Sequence, residues 1–197
     1  MQSKSTGFIV KVGLLSAIAL ILMYLEFPIP FLFPSFLQMD FSDVPALVGG
    51  FALGPVAGVL IGLIKNLFHI MTKSDTAWVG PLANFITGIA FVVPASVIYR
   101  YMHTKKGALL GLLVGTVSMT VVMAFANYYI FLPLYETVLG YPMAAIVGMG
   151  TKVNPNITDL KTLIILGTAP FNFLKGTAVS VVTLALYKHI SRLFKRI

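Results

Sequence analysis

Polar positions in this chain fall in short clusters, and the apolar positions between them run on at roughly 7–27, 43–53, 55–72, 80–102, 107–135 and 161–194. Runs of this kind predict helices that cross a bilayer, for which ~20 residues suffice. One stretch is ambiguous. Val44 to Ile64 has the length of an ordinary span, but Gly49, Gly50, Gly54 and Pro55 fall in its middle, and Pro55 lacks the amide that a continuous helix needs. Either residues 43–72 form one kinked span in a five-helix protein, or a short helix turns at Gly54-Pro55 and a second returns, giving six.

Charge bias separates the two, because cytoplasmic loops carry an excess of Lys and Arg. With six helices and a cytoplasmic N-terminus, the inside holds nine cations: Lys4, Lys11, Arg100, Lys105, Lys106, Lys188, Arg192, Lys195 and Arg196. The outside then holds three, Lys73, Lys152 and Lys161, whereas five helices would leave five inside and seven outside. The expectation is an all-α integral membrane protein with six transmembrane helices, both termini cytoplasmic and the second and third helices short and interrupted. It reads as one domain over residues 1–197. Residues 43–53 are too few to cross upright, so they must pack against protein that satisfies their ends. Interrupted helices of this kind stand beside binding sites in transporters.

Composition agrees with the membrane reading. Hydrophobic residues make up 58% of the chain and charged residues 10%, against ~25% charged in soluble domains. The first apolar run follows basic residues, as in a signal peptide, but no small-x-small cleavage site follows it, and it reads as a retained span. Cysteine is absent, which excludes disulfides, thiolate metal sites and cysteine nucleophiles. The net charge of +8 comes from cations at segment ends, not from a basic stripe interleaved with aromatics, so nucleic acid is not an expected partner. None of the three histidines sits in a metal-ligand cluster: His69 reads as interfacial, and His103 and His189 as solvated at basic ends.

The segment FPIPFLFPSFLQMDFSD, residues 27–43, holds three prolines, five phenylalanines and only two acids. A solvated loop is polar, so this one is either an interfacial aromatic anchor or a lid over an outward-facing apolar pocket. A later segment, Tyr135 to Asp159, has room for a short re-entrant or surface helix. Amides and charges within the apolar runs need an explanation, since they are costly in hydrocarbon. They are Lys65-Asn66, Asn84, Asn127, Asn172 and Lys175. Asn172 and Lys175 are three apart and share a helix face. Lys175 lies about 21 Å along a helix from Lys161, too deep for easy snorkelling, and Pro170 frees a carbonyl nearby. Lys175 either contacts a ligand or pairs with a buried carboxylate, for which Glu26 and Asp40 are the candidates. The asparagines either face a ligand or tie helices together. Lys65-Asn66, about one turn from the outer end of its span, reads as structural, by snorkelling or capping.

No catalytic constellation is present: no GxSxG, HExxH or P-loop, and no pair of intramembrane carboxylates. Without a P-loop, ATP-driven transport would need a separate ATPase subunit. Without intramembrane acids for a proton relay, a self-contained proton-coupled carrier is disfavoured. A pocket without an engine remains. In the first helix Gly13 and Ala17, four apart, offer a small-xxx-small face for another helix.

Taken together, EFPIPFLFP, LQMDFSDVPALVGGFALGPVAG, KNLFH, GPLANFITG, NYY and PFNFLKG resemble, in order and spacing, the riboflavin-specific substrate-binding subunit (S component) of energy-coupling factor (ECF) transporters. The resemblance extends from about residue 8 to 190. It implies a multi-pass protein of the bacterial cell membrane with six helices. Such a subunit binds one vitamin from outside and docks on a transmembrane coupling protein driven by two ATPase subunits. It also implies that riboflavin is cargo, that there is no cofactor, and that the chain is not an enzyme. By the same likeness the first external loop covers the ligand, with Leu37, Gln38, Met39 and Asp40 near the ring system. Asn84 and Asn127 line the pocket, and Asn172 and Lys175 hydrogen-bond the flavin or its ribityl chain. Gly13 and Ala17 stand where the family carries an Ala-xxx-Ala type face for the coupling subunit, with glycine in place of the first alanine.

The chemistry suits that ligand. Isoalloxazine is a flat apolar ring with an imide edge, and asparagine offers that edge both a donor and an acceptor. FMN, which adds a phosphate, stays open at this level. So do the same module for thiamin, biotin or pantothenate, a small membrane enzyme acting on lipid-linked substrates, and a structural membrane scaffold.

Overall fold

The computed structural model describes residues 2–72 and 76–194. Lys73, Lys195 and Arg196, which enter the charge comparison above, lie outside the described residues, as do the side chains of Lys4, Lys188, His189 and Arg192. The architecture is an all-α membrane fold: α1 (Gln2–Tyr24), α2 (Asp43–Leu53), α3 (Pro55–Thr72), α4 (Val79–Met102), α5 (Lys105–Ala126), α6 (Leu132–Leu139), α7 (Met143–Thr151), α8 (Leu160–Leu163) and α9 (Ala169–Phe194). A two-residue antiparallel ladder, β1 (Phe27–Pro28) against β2 (Gln38–Met39), pinches the loop after α1. Among the described residues, five helical stretches have the length and hydropathy of a bilayer span: Thr6–Tyr24, Pro55–Thr72, Val79–Met102, Lys105–Leu139 and Leu160–Leu186. α2 has 11 residues, about 16 Å, roughly half the hydrocarbon thickness.

The turn at Gly54-Pro55 is real, and its cause is local. Gly54 adopts φ +100°, a conformation that only glycine takes without strain, and its amide bonds back to the Gly50 carbonyl at 3.1 Å. Pro55 then opens α3, where its missing amide is no loss. α3 returns antiparallel to α2, close enough that a Cβ at Gly58 would stand 2.9 Å from the Ala46 carbonyl oxygen. α2 also packs against α1, α4 and α9, so protein surrounds a helix too short to span.

α4 and α5 form a second close pair. His103 ends α4 with left-handed backbone, and the Thr104 side chain caps α5 by accepting the Gly107 amide at 3.0 Å. Along the pair, Cβ atoms at Gly111 and Gly115 would each lie 2.6 Å from a carbonyl oxygen of α4. Small residues let the backbones touch where lipid supplies no hydrophobic drive.

Two π-helical turns interrupt the long helices, at Asn127–Phe131 between α5 and α6 and at Ile164–Thr168 between α8 and α9. Each is followed within two residues by a proline, Pro133 and Pro170. A proline withholds one amide and crowds the carbonyl four residues back, and a wider turn accommodates both. Asn127 opens the first π turn and Asn172 lies one turn past the second.

The main core joins Leu47, Ile61, Phe91, Leu112, Met119 and Val179 across five helices. A second cluster, Leu132, Ile146, Ile157, Leu163 and Ile164, holds the segment after α6. There α7 supplies the short helix anticipated between Tyr135 and Asp159. A third, Phe33, Met39 and Phe171, pins the loop after α1 to the start of α9. Outward-facing Ile9, Leu14, Leu113, Val117, Val121 and Phe125 are exposed, as a lipid-facing surface requires.

Candidate ligand-binding site

A cavity of about 280 Å³ lies beneath the loop at residues 25–42. Its walls come from that loop and from α1, α3, α4, α5, the first π turn, α6 and α9. Leu37, Gln38, Asp40, Asn84, Asn127, Asn172 and Lys175 all line it. Met39 does not. Because β2 alternates its side chains, Met39 turns away and packs in the cluster with Phe33 and Phe171. The loop therefore combines both sequence readings: Phe36, Leu37, Gln38 and Asp40 close the cavity, while Phe31 is 79% exposed on its other side. Gly13 and Ala17 do not line this site; they lie on the exposed face of α1.

The polar wall is a set of buried groups from α4, the first π turn and α9. Asn127, Asn172 and Lys175 are buried, and Asn84 Oδ1 is buried without a hydrogen-bond partner. A buried acceptor without a donor is costly. One that faces a cavity is a place for a ligand N–H or O–H. Apolar walls come from Met23, Phe36, Met123 and Phe171. The mixture is that of small-molecule sites, where a few placed polar groups fix orientation inside an apolar cleft.

Lys175 does have a carboxylate partner. Its Nζ donates to Asp40 Oδ2 at 2.5 Å, across 135 residues of sequence. Asp40 Oδ1 accepts the Ser42 amide at 2.8 Å and the Ser42 hydroxyl. Burial alone would push the Asp40 carboxyl up, but Lys175 and Lys65 beside it, with hydrogen bonds from Lys175 and Ser42, hold it well below the usual carboxylate range. Of the two carboxylates available to Lys175, Asp40 makes the ion pair.

Lys65 neither snorkels nor caps. It is fully buried and donates to Asp43 Oδ1 at 2.6 Å and Ser42 Oγ at 2.5 Å. Asn66 donates to the Gly62 carbonyl at 2.8 Å within its own helix. Neither lines the cavity, and both hold the helices in place, as the sequence reading expects, though by a different route. His69 departs from its interfacial reading: it is 6% exposed, lines the cavity, and places Nε2 4.0 Å from Glu26 Oε1 and its ring 5.8 Å from that of Tyr24. It was misread because its neighbours Leu67, Phe68 and Ile70 are exposed, and only the helix phase places it with Lys65 on the inner face.

Sequence reasoning also passed over Phe36, Tyr135 and Phe171, which line the cavity. In a chain with 15 phenylalanines and 8 tyrosines, an aromatic carries little signal of its own. Phe171, next to Asn172 in the first turn of α9, is the one that its position marked out. Among the described residues, no group of three or more His, Asp or Glu is placed to hold a metal ion.

Comparison with known proteins gives a consistent picture. Residues 8–187 match the family model described as ECF transporter, substrate-specific component. The chain is 39% identical over 189 residues to riboflavin transporter RibU of Staphylococcus aureus (strain TCH60), covering 96% of this chain and 93% of that one. It is 38% identical over 178 residues to riboflavin transporter FmnP of Bacillus subtilis (strain 168), covering 88% and 86%. A solved chain, from work on the structure and mechanism of the S component of a bacterial ECF transporter, superposes with a TM-score of 0.75 at 36% identity and 99% coverage of both chains.

Proposed function

This chain belongs to the family of ECF transporter substrate-specific components, and we propose that it is a riboflavin-binding member whose ligand occupies the cavity beneath the loop at residues 25–42. The observation that carries the reading is convergence: Asn84, Asn127, Asn172 and Lys175, from three stretches of chain, meet at one cavity with apolar walls. A flat ring with an imide edge and a polyhydroxyl tail needs that combination. Asn84 Oδ1 is an acceptor for an imide N–H, and the asparagine amides are donors for carbonyl and hydroxyl oxygens. Leu37 and Gln38 close over the ring. Asp40 acts by holding Lys175, and Met39 acts from behind by packing the loop against α9. The family is one of transporter components, not enzymes, and riboflavin is cargo, not a cofactor.

Riboflavin fits better than FMN. Lys175 is already neutralised by Asp40, and Glu26 lines the same cavity, so among the described residues a phosphate would meet two carboxylates and no uncommitted ammonium. The chain is a multi-pass protein of the bacterial cell membrane. Six helices in one domain, with both termini cytoplasmic, place the loop at residues 25–42 outside, where it captures riboflavin. Inward release follows docking on a transmembrane coupling protein driven by two ATPase subunits. Gly13 and Ala17 are the docking face. They lie on the side of α1 turned away from α2 and α3, and a Cβ at Gly13 would meet nothing within 4 Å.

The test is spectroscopic. Protein purified in detergent from flavin-rich cells should be yellow, and stripped protein should quench riboflavin fluorescence. Colourless protein that quenches nothing at micromolar riboflavin sinks the assignment. Gly13→Leu with Ala17→Leu should abolish co-purification with the coupling protein and ATPases while leaving quenching intact.

A further inference from the structure

Lys65 does not line the cavity, yet a chain of hydrogen bonds with a defined direction connects it to the cavity wall. An ammonium can only donate. Ser42 Oγ therefore accepts from Lys65 Nζ, at 2.5 Å, and its own proton must go elsewhere. It goes to Asp40 Oδ1, which the Ser42 amide also holds at 2.8 Å. The second Asp40 oxygen takes Lys175 Nζ at 2.5 Å. Asp43 Oδ1, at 2.6 Å from Lys65, completes a buried set of two lysines and two aspartates with no net charge. The relay runs from the α2–α3 hairpin through Ser42 to Lys175, the one ammonium on the cavity wall among the described residues.

We propose that Lys65 is a positioning residue for riboflavin binding, acting through Ser42 and Asp40 to fix the Lys175 ammonium at the cavity wall. The inference rests on the riboflavin reading of that cavity. The charged groups facing Asp40 are Lys175 from α9, Lys65 from α3 and Asp43 from α2, with Glu26 and His69 on the same cavity. Lys65→Met leaves two close, buried carboxylates and one ammonium. Such carboxylates do not both stay ionised readily, and one takes up a proton at a raised pH. With one proton shared by the two carboxylates, a single negative charge again faces Lys175 and the wall is restored. With both ionised, Lys175 is drawn toward each and the ligand geometry is lost. Lower pH therefore favours binding in the variant.

The experiment is riboflavin fluorescence quenching at pH 5 to 8 on intact protein in detergent, with each variant expressed as a ratio to wild type so that Glu26 and His69 cancel. Lys65→Met should bind about tenfold more weakly at pH 8, the order expected for losing a charged hydrogen-bond partner, and recover toward wild type at pH 5. Adding Asp43→Asn restores neutrality, so the double variant should regain most of the affinity and lose the pH dependence. Ser42→Ala keeps both ion pairs but cuts the link, and should bind several-fold more weakly even if Lys65→Met fails to fold. Unchanged affinity in Ser42→Ala, or a Lys65→Met loss that is independent of pH and not rescued by Asp43→Asn, overturns the relay. Wild-type protein that quenches no riboflavin overturns the ligand assignment and the relay with it.

Discussion

Lys65 and Lys175 each carry a full charge into the interior of a membrane protein, and each is met by an aspartate within 2.6 Å. The resemblance ends there. Lys65 and Asp43 lie 22 residues apart at the open end of one helical hairpin, with side chains 0% and 2% exposed. Lys175 and Asp40 lie 135 residues apart and tie the loop after α1 to the last helix, with one face on the cavity. The first pair registers two antiparallel helices; the second holds a cavity closed and presents an ammonium to whatever enters it. Burial and pairing do not reveal which role a charge has. The neighbouring space does.

The sharpest way to break the comparison is to remove each lysine in turn. Lys65→Ala leaves Asp43 sealed without its counter-charge, a change that costs about 3–5 kcal/mol in buried pairs. Ligand-free protein in detergent should show a large fall in unfolding temperature; an unchanged melt would mean that the pair does not hold the hairpin. Lys175→Met should cost less, about 1–3 kcal/mol, because Asp40 keeps two donors from Ser42 and water can enter from the cavity. Its main effect should be on affinity, with riboflavin held at least tenfold more weakly, about 1.4 kcal/mol. Equal stability losses with undiminished binding would erase the distinction between the two lysines.

The difference also explains what the sequence disclosed. The hairpin was legible because its signals are local: Gly54 and Pro55 are adjacent, and only a turn suits both. The inward amides were legible because a polar group in an apolar run is anomalous wherever it occurs, and Asn84, Asn127, Asn172 and Lys175 all reach the cavity. Met39 packs away from the cavity because a two-residue strand alternates faces, a pattern too short to read from sequence. From sequence Lys65 reads as a snorkelling or capping residue, since nothing local announces that α2 folds back to bring Asp43 beside it. The Lys175–Asp40 pair was one of two candidates, and choosing between them required the loop's path. Contacts made within one turn are written in the sequence, whereas those that depend on how a loop returns are not.

Asn84 offers a gentler test of the same distinction. Its Oδ1 is buried with no partner among the described residues, so Asn84→Ala removes an unsatisfied acceptor and should leave the ligand-free melt within ~0.5 kcal/mol of wild type. Riboflavin should lose one hydrogen bond, about 1 kcal/mol and roughly fivefold in affinity. A destabilised but normally binding variant would make Asn84 a helix tie instead of a wall.

The smallest effect is a contrast in pH dependence. Asp40 is held below the usual carboxylate range by its neighbours, so its contribution to stability is complete above the unfolded value, about 3.9. That contribution is lost only as pH falls through the lower folded value. Between pH 5 and 8 it therefore adds no slope to the wild-type melt. Lys175→Met removes the largest of the influences opposing burial, and the Asp40 carboxyl shifts upward. If the shift carries the folded value above the unfolded one, the native state binds more protons and stability falls as pH rises. Lys65 and Ser42 still restrain Asp40, so the slope is a fraction of the ~1.4 kcal/mol per pH unit that a whole proton would give. Subtracting the wild-type curve from the variant's cancels groups common to both. A difference that is flat from pH 5 to 8 would show that Ser42 and Lys65 alone keep Asp40 ionised, and would make the hairpin's charges, not the cavity's, the keepers of the wall.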